Sequence, residues 1–166
     1  MTEYLEKIQN IPEDEIVYID ETGIQQYLYR EYAYAPRGKK VYDTISGKKF
    51  RRTNIVAAKQ GNNLISPLQY DCTMTGDFFE SWFENFLLPE LSENSVLVMD
   101  NASFHRKKKL YDMAERHHVI LFFLPPYSPE LNPIEKVWAN FKRWLTFHLH
   151  LFATLDDAIS NYFKVN

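Results

Sequence analysis

Along this chain short β-branched or aromatic runs alternate with longer stretches of helical period. Ile16-Val17-Tyr18-Ile19 ends in Asp20-Glu21-Thr22-Gly23, the pattern of a buried strand that delivers an acid at its C-terminal end. Successive strand side chains face opposite sides, so Asp20 and Glu21 are not expected to share one site. Tyr27, Tyr29, Tyr32 and Tyr34 mark an extended region leading to a turn at Pro36-Arg37-Gly38. Lys48–Ala58 and Leu64–Tyr70 read as a hairpin joined at Gly61-Asn62-Asn63. From Thr75 to Leu91, Phe78, Phe79, Trp82, Phe83, Phe86 and Leu87 recur at helical spacing and predict a helix with one broad buried face. Val96–Met99 is a second apolar strand ending in an acid, Asp100. Lys107–His117 predicts a helix with a basic first turn, and Val119–Leu124 a buried strand. A last helix is expected near Thr154, with Leu155, Ile159 and Phe163 inward.

The stretch Leu121–Leu145 organises the rest. Pro125, Pro126 and Pro129 fix φ and lack N–H groups, so they predict an ordered, extended connector. Asn132 reads as a helix N-cap and Pro133 as the first helical residue. On the helix that follows, Ile134, Val137, Trp138, Phe141, Trp144 and Leu145 form one apolar arc. Glu135 lies off its edge on a stripe with Ala139 and Lys142, where a carboxylate can face a cleft.

The element order places hairpin-linked strands first and β-α-β units afterwards. This predicts an α/β domain with a mixed sheet, an antiparallel hairpin plus parallel strands, flanked by helices. With 166 residues and 45% hydrophobic residues the chain suits one domain over 1–166, of which 1–14 is a lead-in. The single cysteine, Cys72, excludes an intrachain disulfide, and no Cys/His cluster has zinc-ligand spacing, which fits a reducing, cytoplasmic setting. No apolar run approaches the ~18 residues of a spanning helix, so no membrane partner is expected.

The net charge of −3 conceals strong segregation. Seven basic residues, Arg37, Lys39, Lys40, Lys48, Lys49, Arg51 and Arg52, face the single acid Asp43 within one stretch. A second basic cluster runs from Arg106 and Lys107 to Lys109, whereas no Lys or Arg occurs between Gln60 and His105. Such runs are either solvated faces or phosphate-contacting patches for nucleic acid.

In open α/β sheets, sites form at the C-terminal ends of parallel strands, where Asp20 and Asp100 fall; Glu135 completes a triad. Carboxylates ~4 Å apart repel by ~4 kcal/mol per pair at an effective dielectric near 20. Three converging without basic partners therefore imply Mg²⁺ or Mn²⁺, and a pair of such ions suits in-line phosphodiester displacement. Each acid alone also has a plainer reading, a turn cap for the aspartates and a capping-box partner of Asn132 for Glu135.

The segments YIDETG, VMDNASFH and LPPYSPELNPIEKVW resemble the three signature blocks of mariner-like DDE transposases, in their bacterial insertion-sequence branch. The 34 residues between Asp100 and Glu135 are similar to the spacing in that superfamily. The resemblance implies an RNase H-like fold and two divalent ions held by Asp20, Asp100 and Glu135. It further implies cleavage at transposon ends and attack of the freed 3′-OH on target DNA. The implied partners are transposon-end and target DNA, with a homodimer or full-length transposase in the complex, at the nucleoid of a prokaryotic cytoplasm. Asn101 and His105 match positions in the second block and either support the acids, contact DNA or are structural; Lys142 is a further candidate DNA contact. Relatives carry helix-turn-helix domains ahead of the catalytic domain, whereas this chain starts close to its first catalytic strand, so sequence-specific end recognition is expected to be missing. Two other readings remain open, a catalytically silent regulator that pairs with full-length transposase and a host RNase H-like nuclease.

Overall fold

A computed structural model of the chain describes residues 6, 8–25, 52–126 and 128–165. The tyrosine-rich stretch, the first residues of the expected hairpin, and Arg37, Lys39, Lys40, Lys48, Lys49 and Arg51 lie outside the described residues.

Among the described residues five strands form one sheet: β1 (Ile16–Gln25), β2 (Arg52–Gln60), β3 (Asn63–Tyr70), β4 (Val96–Met99) and β5 (Ile120–Phe123). Their order across the sheet is β3-β2-β1-β4-β5. β1, β2 and β3 pair antiparallel, and β1, β4 and β5 parallel, which is the mixed sheet expected. The hairpin turns tightly at Gly61-Asn62, where Gly61 takes φ +53°, a left-handed conformation favouring glycine.

β1 departs from expectation by running on to Gln25, so that Asp20 lies within the strand. The reason is its two neighbours. Parallel pairing with β4 covers only Ile16 to Tyr18, because β4 is four residues long, while antiparallel pairing with β2 continues from Val17 to Gln25. Asp20 thus stands just past the end of the parallel ladder. β5 is an edge strand and not fully buried, with Ile120 47% exposed.

Among the described residues four α-helices cover the sheet: α1 (Gly76–Trp82), α2 (Lys107–Arg116), α3 (Ile134–His148) and α4 (Leu155–Val165). Strand parity decides which helix each side chain meets. Val17, Ile19, Leu97 and Met99 pack with Phe79, Trp82 and Phe83 of the α1 region and Leu110 and Ala114 of α2. On the opposite face Ile24, Ile55 and Ala57 pack with Ile134, Trp138, Phe141 and Leu145 of α3 and Leu155, Ala158 and Ile159 of α4. The apolar arc of α3 is therefore its buried face, and Glu135, Ala139 and Lys142 are exposed as expected.

Two local expectations fail. The helix opened by the Thr75 cap, whose Oγ1 accepts from Phe78 N at 3.2 Å, widens into a π turn at Phe83–Leu87 and ends in a 3₁₀ turn at Leu88–Glu90. The wider turn rotates the face, and Phe86, expected inward, is 52% exposed. Asn132 does not cap α3 with its side chain; its amide is buried, and Nδ2 donates to the Ile19 carbonyl of β1 at 3.5 Å. Pro133 occupies the cap position without a side-chain bond, so no capping box engages Glu135.

Candidate active site

The parity that sends Ile19 toward α1 sends Asp20 toward α3. Asp100 follows the last residue of β4, and Glu135 sits in the first turn of α3. Asp20, Asp100 and Glu135 line one cleft of about 440 Å³, walled by Leu124, Pro125 and Pro126 of the proline-rich connector. Asn101 and Asn132 also line it. Among the described residues no three acidic, histidine or cysteine side chains are gathered at metal-ligand distance.

Asp20 is the half-buried member held within a strand. Burial pushes its carboxyl up to about 7, and the charges of Glu135, Asp100 and Glu21 add to the rise, while the Glu21 backbone N–H opposes it. Its Oδ2 also accepts from Trp138 Nε1 at 3.1 Å. Asp100 is held differently. Its side chain is 53% exposed, and Oδ1 accepts from Ala102 N at 3.0 Å.

His105 buttresses Asp100. Nδ1 lies 3.0 Å from the Asp100 carbonyl oxygen and 3.3 Å from Oδ1, so Nδ1 carries the proton. The ring packs 4.4 Å from Phe79 and 4.5 Å from Phe104, centroid to centroid. That burial holds the imidazole below its ordinary pKa, against the opposing carbonyl and charge of Asp100. Nε2 is buried without a partner among the described residues.

Glu21, which sequence parity set apart, does point to the other face, yet it is not remote from the site. A second cleft of about 250 Å³ wraps the sheet end and is lined by Asp20, Glu21 and Asp100 together with Arg52, Tyr70 and His105. Glu21 Oε2 accepts from Tyr70 Oη at 3.1 Å. Burial raises the Glu21 carboxyl to about 7, the Tyr70 bond opposes this, and the Asp100 charge adds to it. Burial and the Glu21 charge in turn push the Tyr70 hydroxyl up. Arg52 lies across Gly23 so closely that a Cβ there would meet its guanidinium at 2.2 Å.

The other basic candidates divide. Arg106 pairs with Asp77 and, through Nε at 2.6 Å, with Glu80; Lys109 reaches Glu80 at 3.3 Å. This cluster clamps α2 to α1. Lys107 donates to Asn101 Oδ1 and lies 4.6 Å over the Phe123 ring, and Asn101 Nδ2 donates to the Leu124 carbonyl. Asn101 thereby ties the ends of β4 and β5 together beside the cleft. Lys142 is exposed two turns along α3 from Glu135.

The DDE superfamily endonuclease family model matches residues 15–157. The chain belongs to this family. Among its relatives are an uncharacterized protein, y4pE/y4sA, of Sinorhizobium fredii, 38% identical over 69 residues, which are 41% of this chain and 47% of that protein. The Tc1 transposase of Caenorhabditis elegans is 27% identical over 96 residues, 58% of this chain and 33% of that protein. The match thus spans about half or less of each relative's length. In fold the DDE chain is similar to the Mos1 strand transfer complex, with a TM-score of 0.74 at 17% identity over 99% of this chain and 52% of that one. It also resembles the catalytic domain of Mos1 mariner transposase, with a TM-score of 0.64 at 13% identity over 99% of this chain and 76% of that one. The RNase H-like expectation for the sheet is thereby met.

Proposed function

We propose that the chain is a transposase catalytic domain that cleaves DNA phosphodiester bonds at transposon ends and joins the freed 3′-OH to target DNA, with Asp20, Asp100 and Glu135 as metal-binding carboxylates. The observation that carries this reading is the convergence of three acids from three separate elements, β1, the end of β4 and the start of α3, on one cleft. Solved Mos1 complexes with Mn and with Mg add support for a divalent ion.

The donor set fits such an ion. All three groups are hard oxygen ligands, and Asp20 is held near 7 by burial and like charges, the conditions a bound cation relieves. Two Mg²⁺ or Mn²⁺ ions in this cleft would activate the attacking hydroxyl and stabilise the leaving oxygen of an in-line displacement. The protein's own part is positional. Asn101 fixes the β4–β5 end, His105 holds Asp100, and the connector at Leu124–Pro126 forms one wall. Arg52 and Lys142, with the basic run whose other members lie outside the described residues, would contact phosphates and give affinity without sequence information. The partners on this reading are transposon-end and target DNA and a second transposase subunit, in a prokaryotic cytoplasm. Among the described residues no helix is long and apolar enough to cross a membrane.

The test is nicking of supercoiled plasmid in Mg²⁺ or Mn²⁺ by the parent, Asp20→Asn and Asp100→Asn. Cleavage should require the ion, stop on chelation and be abolished in both variants, while the metal-free variants melt no lower than the parent because one repelling charge is gone. A variant that cleaves at the parental rate would remove that aspartate from the site.

A further inference from the structure

The two most buried tryptophans near the sheet satisfy their N–H groups in different ways. A buried indole N–H needs an acceptor. Trp82 Nε1 donates to the Ser66 main-chain carbonyl at 2.9 Å, a purely architectural bond. Trp138, only 2% exposed, donates instead to a side chain, Asp20 Oδ2, at 3.1 Å. Its place on α3 is specific. Trp138 follows Glu135 by three residues, one turn along the same side of the helix. One rigid helix therefore presents an acid to the cleft and, a turn later, a donor to a second acid of that cleft.

The chemistry of the carboxylate gives this bond a consequence. An ionised aspartate has about four acceptor positions. The Trp138 indole N–H occupies one of them, which orients the group and leaves the rest for a cation. That donor also favours the charged form of a group that burial disfavours. The Asn132 amide reinforces the same joint by donating to the Ile19 carbonyl, one residue before Asp20.

We infer that Trp138 is a positioning residue for Asp20, its indole N–H orienting the carboxylate for a divalent cation and coupling it through α3 to Glu135. This rests on the assignment of Asp20 as a metal ligand. Trp138→Phe keeps an aromatic ring in the core and deletes the donor, so it separates orientation from packing.

The experiment titrates Mn²⁺, followed by electron paramagnetic resonance, into the full chain and into Trp138→Phe and Asp20→Asn, with melting curves of each without metal. Removing a group that orients a metal ligand costs about 10–100-fold in affinity. Trp138→Phe should lose that much while remaining folded, and Asp20→Asn should lose binding further. Parental Mn²⁺ affinity in Trp138→Phe, with binding lost in Asp20→Asn, would overturn the inference and leave the proposed function standing. Parental affinity in Asp20→Asn would take down the site assignment and this inference with it. Should Trp138→Phe fail to fold, the ¹H–¹⁵N resonance of the Trp138 indole decides. A shift on Asp20→Ala supports the bond, and an unmoved resonance contradicts it.

Discussion

Two acid-rich regions of the molecule are treated in opposite ways. Along the seam between α2 and the α1 region acids meet bases: Asp77 and Glu80 meet Arg106, Glu80 also meets Lys109, and Glu84 meets Arg116 at 2.9 Å. At the two clefts around the sheet end, Asp20, Glu21 and Glu135 form no ion pair with Lys or Arg among the described residues, and neighbouring acid charges add to the rise at Asp20 and Glu21. The matched acids hold two helices together. The unmatched ones cost stability, which is expected where a group is kept for chemistry.

That contrast can be broken most forcefully by pH. Asp20 and Glu21 sit near 7 in the folded protein and near ordinary carboxylate values when unfolded. Between about pH 4 and 7 the folded state therefore binds protons that the unfolded state has released. Their contribution is fully present below about pH 4 and is lost as pH rises through 7, by an amount of the order of a few kcal/mol. Chelated protein should accordingly melt higher near pH 5 than near pH 8, unlike a fold held by its paired acids. An increase in stability across that interval would show that these two acids are not held high.

A smaller effect tests the matched region. Glu80 is buried against Arg106 and Lys109, so Glu80→Gln keeps the shape, loses both charge-assisted contacts and should cost about 1–2 kcal/mol in chemical denaturation. Plasmid nicking by the folded fraction should be unchanged, the reverse of the aspartate variants. A Glu80→Gln protein of parental stability would mean that the clamp contributes nothing. The smallest effect concerns Arg52, which has no ion-pair partner among the described residues. Arg52→Ala should weaken binding to random duplex DNA and reduce the slope of log K against log salt by about 1. An unchanged slope would place Arg52 away from phosphate.

The sequence reading succeeded where a local period carries the information. The arc from Ile134 to Leu145 could be read at 3.6-residue spacing, and the apolar runs before Asp20 and Asp100 marked the stretch where β1 and β4 pair in parallel. It ran out where a long-range partner decides. The pairing of Arg106 and Lys109 with Glu80 could not be read because Glu80 is distant in sequence, and Trp138 counted as apolar because a hydropathy pattern does not register an indole N–H. Asn132 had the right residue type for a cap, but the Ile19 carbonyl captured its amide. The π turn that expels Phe86 leaves no mark in an amphipathic count. Glu21 was set aside by strand parity, which describes faces and not the sheet end around which the second cleft wraps.

The central claim is that Asp20, Asp100 and Glu135 act as one metal centre, and Glu135 is the member that comes from the helix. Glu135→Gln, assayed in parallel for melting, Mn²⁺ binding and plasmid nicking, tests it most directly. Glutamine preserves the length and hydrogen-bonding ability of the side chain and removes only the charge a divalent ion requires. The account predicts a melting temperature near the parent's with ion binding and cleavage each reduced by orders of magnitude. Parental cleavage by Glu135→Gln would contradict it.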